Sequence, residues 1–403
     1  MTRNQTFRIA VRKYPAFESA IAAQWAAFEN LAQTGLTLEA IPYDLPELEN
    51  TLFHQSGMRN GTWDVAFVAT DWIAAMHAAR AALDLAPHLH DEQAWPDSLL
   101  RLQRIGPAVL GIPYHDGPEC LIFRRDLFDA PQNQSRFLAL HGTPLAPPKT
   151  WHDFHRIARF FHAPEKNLYG TVFAAYPDAH NSVYDFLLQL WTRGGELFDP
   201  AGNLRFNTPE AREALAFYRT ILNDDEAVHP GSRTFDSVQA GLAFARGEAA
   251  MMVNWFGFAT MAHTDSESNV RGLVDIADIP GNPSVSLNVY WILSVAAASP
   301  HPGVAIRFLQ HCATPAMDLL TTQSGAIGCR KSTWSNPAVN AAIPFYRHLE
   351  SLHAVAREIP ARADWPRIAT AIDALVTAAI TSETPTETLL ADADRTLQSG
   401  GGP

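Results

Sequence analysis

Aromatic and hydrogen-bonding side chains follow several predicted strands, and their types could bind a polar ligand. Asp71 and Trp72 come directly after the run WDVAFVAT, Trp255 closes EAAMMVNW, and Tyr290 and Trp291 lie within LNVYWILSV. An aromatic ring can stack on the C–H face of a sugar while carboxylates and amides bond its hydroxyls, in a site that is mostly apolar with few converging polar groups. Aromatic residues also dominate core burial, so core packing is the alternative for each ring.

Two further positions could supply charge to such a site. Arg12, Lys13 and Tyr14 directly follow the first predicted strand, where two cations could meet an acidic or highly hydroxylated ligand. Asp116 lies in the sequence HDG and could accept a hydrogen bond from a ligand. The alternatives are a solvated loop for the first position and a simple turn for the second, because Asp-Gly is a strong turn signal.

The elements before these residues predict a parallel sheet with helices on its faces. Apolar runs at 6–11, 36–43 and 63–70 read as strands, and apolar residues at helical spacing predict helices over 17–33 and 72–83. A β-α-β-α-β order of this kind is typical of α/β proteins. In open α/β sheets ligands bind outside the carboxyl ends of the strands, which is where Arg12 and Asp71 fall.

The later segments continue the mixture of helices and strands. Two short apolar runs within 110–123 flank a Pro, Asp and Gly cluster, which predicts that the chain leaves its first lobe there. Thr150 and Thr208 each precede a helical pattern, and a threonine at this position predicts an N-cap. The run 287–296 reads as one further strand.

Composition and missing motifs exclude several classes of protein. The 403 residues carry a formal net charge of −12, with no basic stripe for nucleic acid. Cys120, Cys312 and Cys329 lack metal-type spacing, so we expect neither a metal site nor another cofactor. The signatures of α/β-hydrolases, zinc proteases and nucleotide-binding loops are absent. Because carboxylates are plentiful, a carbohydrate-active enzyme remains open.

Ordered motifs along most of the chain resemble the extracellular solute-binding proteins of sugar ABC transporters. GTWDVAFVATDW is similar to the family's strand ending in Asp-Trp, and GIPYHDGPECLIFRRDLFD to its crossover between lobes. PPKTWHDF resembles a helix start of the family, FARGEAAMMVNW its second-lobe strand, and RADWPRIA its C-terminal helix. Each piece alone is weakly specific, but their shared order is strong evidence.

This resemblance implies a type II periplasmic binding protein fold of class α/β, with two lobes that are each a mostly parallel sheet flanked by helices. One lobe would hold 1–115 plus 288–330 and the other 116–287 plus 331–403, with crossing strands as a hinge. A mono- or oligosaccharide would bind in the interlobe cleft and be enclosed by hinge closure. The partners would be this carbohydrate and the permease subunits of an ABC transporter, and we expect a monomer that binds no nucleic acid.

The resemblance also implies a set of ligand contacts, which are Arg12, Tyr14, Tyr43, Asp71, Trp72, Asp116, Tyr176, Trp255, Tyr290, Trp291 and Arg330. It implies a periplasmic or cell-surface location. The N-terminus MTRNQTFRIAV shows neither a signal core nor a lipid-anchor cysteine, which leaves a cytoplasmic location open. A cytosolic sugar sensor and an enzyme on the same fold are therefore the alternative functions.

Overall fold

The computed structural model describes residues 5–399, and the chain forms two compact units. Unit 1 comprises Met1–Gly117, Asn288–Leu349 and Glu358–Ala363, and unit 2 comprises the remaining segments, Pro118–Leu287, Glu350–Arg357 and Asp364–Pro403. The predicted division placed all of 331–403 in the second lobe. The structure instead assigns 331–349 and 358–363 to unit 1, so the chain changes unit five times rather than three. The predicted end points 1 and 403 lie outside the described residues.

The strands, numbered in chain order, are β1 (Thr6–Arg12), β2 (Thr37–Tyr43), β3 (Val65–Ala69), β4 (Arg104–Ile105), β5 (Ala108–Val109), β6 (Ile112–His115), β7 (Glu119–Arg124), β8 (Tyr169–Thr171), β9 (Ala249–Trp255), β10 (Val274–Ala277), β11 (Ser286–Asn288), β12 (Trp291–Val295) and β13 (Ala356–Glu358). The run 287–296 is therefore not one strand, because β11 ends before Val289 and β12 begins only at Trp291.

The α-helices are α1 (Pro15–Ala32), α2 (Leu45–Glu49), α3 (Ile73–Ala78), α4 (Asp97–Leu102), α5 (Arg125–Asp129), α6 (Pro131–His141), α7 (Trp151–Phe161), α8 (Asn181–Trp191), α9 (Pro209–Leu222), α10 (Ser237–Ala245), α11 (Phe256–Thr264), α12 (Pro302–Cys312), α13 (Pro315–Gln323), α14 (Lys331–Trp334), α15 (Pro337–Ala342), α16 (Leu349–Ala354), α17 (Trp365–Thr381) and α18 (Thr386–Ser399). A helix of the length and hydrophobicity needed to span a bilayer does not occur within residues 5–399.

The sheet of unit 1 has five strands in the order β2-β1-β3-β12-β6. β1 pairs in parallel with β2 and β3, whereas β12 is antiparallel to both of its neighbours, β3 and β6. β12 is thus the only strand of this sheet that runs against the others. The carboxyl ends of β1, β2, β3 and β6 consequently meet the beginning of β12 at one edge.

The main sheet of unit 2 repeats this arrangement with four strands in the order β10-β7-β9-β8. β7 is antiparallel to β10 and β9, and β8 is parallel to β9, so β7 alone runs against the other three. β7 is the first strand after the chain enters unit 2, as β12 is the first strand of the main sheet after the return to unit 1. Both sheets are mixed, because two of the four pairings in unit 1 and two of the three in unit 2 are antiparallel. The predicted α/β class is confirmed, with most strands of each sheet running in one direction.

Helix starts and the apolar face of α1 follow the sequence closely. The hydroxyls of Thr150 and Thr208 accept hydrogen bonds from the N–H groups of Asp153 and Ala211, which confirms both predicted caps. On α1 the apolar residues at helical spacing are buried from Phe17 to Phe28. Its ring Trp25 stacks on Phe7 of β1 with 4.6 Å between centroids. Leu31 belongs to the same stripe but is 77% exposed.

A buried carboxylate ties together the elements that hold β3 in unit 1. Asp64 immediately precedes β3 and is 1% exposed. Its Oδ2 accepts a hydrogen bond from the backbone N–H of Arg8 at 2.9 Å. Its Oδ1 accepts from the hydroxyl of Ser299 at 2.6 Å and from the N–H of His301, just before α12, at 3.1 Å. One side chain therefore fixes β1, β3 and the start of α12.

We predict that Asp64→Ala lowers the free energy of unfolding by at least about 2 kcal/mol, because three donors lose a charged acceptor in the interior. Urea unfolding followed by circular dichroism measures the change. Glu47→Ala, at an exposed acidic residue of the same unit, serves as the control and should stay within about 0.5 kcal/mol of the parent. Equal stability of the two variants would contradict this role of Asp64.

Candidate functional site

Strand register brings most of the predicted contacts of unit 1 to one edge of its sheet. Arg12 and Tyr43 are paired at the ends of β1 and β2, and Asp71 lies in the 3-10 turn Thr70–Trp72 that follows β3. Trp291, the first residue of β12, pairs with the last residue of β3 on one side and with the last residue of β6 on the other. The edge therefore joins residues that are far apart in the sequence.

The rings of Trp72 and Trp291 form the aromatic part of this edge. Their centroids are 6.0 Å apart with an interplanar angle of 87°, an edge-to-face contact. Phe67 and Phe17 each lie 6.3 Å from Trp291 at oblique angles. Trp72 is buried, whereas Trp291 is only partly buried. The surrounding rings hold Trp291 in place, so its indole can act as a rigid stacking surface.

The charged part of the edge is organised around an acid that the sequence analysis did not single out. Arg12 is buried and donates from Nη1 to the carbonyl of Tyr43 at 3.4 Å. The exposed carboxylate of Asp44 lies 3.6 Å from Arg12 Nη1 and 3.5 Å from Lys13 Nζ. Tyr14 packs edge-on against Phe17 with 5.1 Å between centroids. The cations predicted after β1 are therefore partly neutralised within unit 1.

Asp116 is buried, and the preceding His115 is half-buried, where β6 ends. The N–H of Asp116 donates to the carbonyl of Ile327 at 3.1 Å, and Nδ1 of His115 accepts from the N–H of Ile327 at 2.9 Å. Burial lowers the pKa of His115 to about 4, which Asp116 partly offsets, so the imidazole is neutral at physiological pH. A neutral ring whose Nδ1 accepts must carry its proton on Nε2.

Two predicted contacts of unit 1 are buried and have hydrogen bonds within the unit. Tyr290 is 1% exposed, and its hydroxyl donates to the carbonyl of Leu99 at 2.5 Å. It lies between β11 and β12, and its phenol is committed to the core. Arg330 is 5% exposed and donates to the carbonyl of Ala313 at 2.6 Å. Its guanidinium also pairs with Asp91 and stacks over Trp95.

Arg330 belongs to a different place in unit 1 from the other predicted residues. It lines a cavity of about 470 Å³ together with Leu85, His88, Ile112 and Leu309. The other predicted contacts are not among the residues that line this cavity. The sequence match at Arg330 was local, and local likeness does not show which loop its long side chain will reach.

In unit 2 the predicted contact Trp255 ends β9 directly opposite Glu119, the first residue of β7. The indole is partly buried and meets Tyr184 of α8 edge-to-face, with 5.7 Å between centroids. Asn254 supports this position, because its side-chain oxygen accepts from the N–H of Trp255 at 2.8 Å and its amide donates to Ser237. Trp255 is thus held by α8, β7 and the start of α10.

The loop that carries Tyr176 is tied to the same end of unit 2. Tyr176 is 45% exposed, and its N–H donates to the carbonyl of Phe235, two residues before α10. Asp178 accepts from the backbone N–H groups of His180 and Asn181 at 2.9 and 2.8 Å. Ala179 between them has φ of 59°, a left-handed conformation that is strained for alanine. Strain of this kind persists where the surrounding contacts over-determine the backbone.

Two buried acids of unit 2 were missed by the sequence analysis. Glu119 is 5% exposed, and burial raises its pKa well above the usual value, with nearby Asp185 adding to the shift. Burial also raises the pKa of Asp185 to about 7, although the hydroxyl of Tyr218 donates to its carboxyl group. The available signal was an acid within otherwise apolar runs, ECLIF for β7 and VYDFLLQLW for α8.

The described residues contain no group of three or more His, Cys, Asp or Glu side chains arranged to hold a metal ion. The three thiols are all buried and unpaired. Each unit instead has a partly exposed indole that packs against neighbouring aromatic rings and has polar side chains close by. Such surfaces suit an uncharged, hydroxyl-rich molecule better than a metal or a phosphate group.

Comparison with known proteins places the chain in a family. The family model described as bacterial extracellular solute-binding protein matches residues 12–318, so the chain belongs to this family. A probable ABC transporter-binding protein of Deinococcus radiodurans is 23% identical over 267 residues. That alignment covers 64% of this chain and about 60% of the relative's length.

Solved structures agree on the fold. Maltose-bound MalE3 of T. maritima has a TM-score of 0.86 at 20% identity, covering 98% of this chain and 99% of that protein. A solute-binding protein of Agrobacterium radiobacter K84 in complex with ribitol has a TM-score of 0.84 at 22% identity, covering 98% of each chain. The chain therefore has the two-lobed periplasmic binding protein fold expected from the sequence.

We predict that Tyr290→Phe lowers the free energy of unfolding by about 1–2 kcal/mol, because the buried carbonyl of Leu99 loses its donor. The same change should leave solute affinity within about twofold of the parent. Urea unfolding and titration calorimetry measure the two quantities. A variant with normal stability and weakened affinity would restore Tyr290 as a ligand contact and contradict its assignment to the core.

Proposed function

We propose that this protein is the substrate-binding component of an ABC-type uptake system for a mono- or oligosaccharide or a related polyol. The main observation behind the proposal is that each unit has an indole held by neighbouring rings, Trp291 in unit 1 and Trp255 in unit 2. Each is partly exposed, ends or begins a strand, and has polar side chains beside it. A sugar offers apolar C–H faces to rings of this kind and hydroxyls to the groups around them.

Membership of the solute-binding family supports the same function. The Deinococcus relative is named as an ABC transporter-binding protein, and two proteins with this fold hold maltose and ribitol. In this proposal the protein works outside the cytoplasmic membrane, hands its ligand to permease subunits and does not alter it chemically. The matched segment is about 60% of the curated relative, so the partners follow from family membership and remain part of the proposal.

The five changes of unit along the chain support a hinge. Strands β11 and β13 pair with each other, and each contains a point at which the chain passes from one unit to the other. Paired extended segments of this kind can absorb a rotation through small changes in backbone angles at a few residues. We therefore expect ligand binding to change the relative orientation of the units, as the family resemblance implies.

We predict saturable binding of at least one neutral sugar or polyol without turnover. Maltose, ribitol and mannitol form the first panel for titration calorimetry and thermal unfolding. A ligand present at 100 times its dissociation constant stabilises the folded protein by about 2.7 kcal/mol. Small-angle scattering with and without that ligand tests closure. Formation of a new product from the bound sugar would contradict the proposal in favour of an enzyme.

Substitution of the two indoles tests the site itself. We predict that Trp255→Ala and Trp291→Ala each weaken binding of the panel ligand by about 1–3 kcal/mol, the range for an anchoring aromatic residue. Phe217→Ala and Trp334→Ala are the matched controls, because each removes a half-buried ring from the same unit as its counterpart. Calorimetry should give parent-like affinity for the controls. Equal losses in all four variants would indicate a general loss of packing rather than stacking on the ligand.

A further inference from the structure

Glu119 occupies a position beside the Trp255 indole that the family resemblance does not assign. The two residues are directly opposite each other on antiparallel strands β7 and β9. Directly opposite residues of an antiparallel pair project from the same face of the sheet, with Cβ atoms about 4.5–5.5 Å apart. On that face α8 supplies Tyr184 against the indole and Asp185 near the carboxyl group of Glu119. Glu119 therefore lies beside Trp255, whose indole we propose to stack on the ligand.

The carboxyl group of Glu119 has an unfilled hydrogen-bonding position. Its Oε2 is buried and has no hydrogen-bond partner among the described residues. The residue as a whole is only 5% exposed. Its backbone carbonyl, by contrast, accepts from the hydroxyl of Ser286 at 2.5 Å. A buried polar atom without a partner costs about 1–3 kcal/mol. A ligand hydroxyl arriving beside Trp255 would remove that cost.

Burial and the acidic groups around Glu119 favour the neutral form of its carboxyl group. Asp185 of α8 lies near this carboxyl group, and the hydroxyl of Tyr218 on α9 donates a hydrogen bond to Asp185. Burial raises the pKa of Tyr218, and nearby acids that include Asp373 of α17 raise it further. On β7 the adjacent thiol of Cys120 is also buried, and its pKa is raised well above the usual value by burial and then by Glu119. The charged neighbours are thus acidic, and ionising Glu119 would place a second negative charge beside Asp185. A neutral carboxylic acid can both donate and accept a hydrogen bond.

Resting on the function proposed above, we propose that Glu119 is a specificity-determining residue of the ligand site, whose carboxyl group donates to and accepts from the hydroxyls of an uncharged sugar or polyol and disfavours carboxylate-bearing analogues. A carboxylate on the ligand would bring its negative charge close to Asp185, the acid near Glu119, and would be repelled wherever Asp185 is ionised. An uncharged polyol meets no such penalty, and its hydroxyl satisfies Oε2. The contact surface formed by Glu119 and Trp255 in unit 2 therefore discriminates between ligands by their charge as well as by their shape.

The test compares Glu119→Gln with Glu119→Leu by calorimetry at pH 7. Mannitol, ribitol and maltose are the neutral probes, and gluconate is the anionic one. Glutamine keeps a donor and an acceptor but cannot ionise, so we expect affinity for the neutral probe that binds best to stay within about threefold. Leucine removes both functions at similar volume, so we expect a loss of about tenfold or more. Gluconate should bind the parent at least tenfold more weakly than mannitol.

A pH series adds a readout that a merely structural role would not change. Only the neutral carboxyl group can donate a hydrogen bond to the ligand. The affinity of the parent should therefore fall as the pH rises through the raised pKa of Glu119. Glu119→Gln should flatten this dependence. The same substitution identifies the Glu119 signal in carbon-13 spectra of the ligand-free protein, where we expect it to titrate well above the ordinary range for glutamate.

Failure of the inference and failure of the proposed function give different results. If the parent binds none of the three neutral probes, the proposed function is overturned and the role of Glu119 with it. If the parent binds a neutral probe and Glu119→Leu binds it equally well, only the role of Glu119 is overturned. Circular dichroism and urea unfolding of both variants show whether a loss of binding reflects misfolding, and parent-like binding by Glu119→Gln excludes that explanation.

Discussion

The positions of the candidate ligand contacts depend on the register with which one strand in each unit pairs against the direction of its neighbours. In unit 1 this strand is β12, which sets Trp291 opposite the ends of β3 and β6. In unit 2 it is β7, which sets Glu119 opposite Trp255. Because side chains alternate between the faces of a sheet, a slip of one residue would turn each group to the other face. Two pairings thus determine where the candidate contacts of each unit lie.

The pairing of β12 in unit 1 is in turn held by polar groups whose hydrogen bonds are made inside that unit. Asp64 binds β1 and the start of α12, and His115 in its neutral form accepts from the N–H of Ile327. Asp318 of α13 accepts from the N–H groups of Cys329 and Arg330 at 2.8 and 3.1 Å. Each of these side chains fixes a loop beside a strand end. The stacking surface of unit 1 is therefore held in place although most of its residues belong to loops and strand termini.

Features with a local cause were predictable from the sequence. A threonine cap depends on three or four consecutive residues, so Thr150 and Thr208 were identified correctly. The strand ends that carry Asp71 and Trp255 follow from runs of apolar residues and from the parallel arrangement that those runs imply. Tyr290 could not be placed in the same way, because the break between β11 and β12 falls within a largely apolar run that reads as one strand. The surroundings of Arg330 could not be predicted for a related reason, since its partner Asp91 is 239 residues away.

The acids of the chain show how partners separate a structural role from a binding role. Asp64 and Asp318 are as buried as Glu119, but each of their carboxyl oxygens accepts hydrogen bonds from the protein. Such side chains hold the fold together, and a ligand could only compete with bonds already made. Glu119 is buried at a similar cost and leaves Oε2 without a partner, so the folded protein alone gains little from it. A buried carboxyl group that lacks a partner beside the Trp255 indole is what we expect of a contact that is completed only when the ligand is bound.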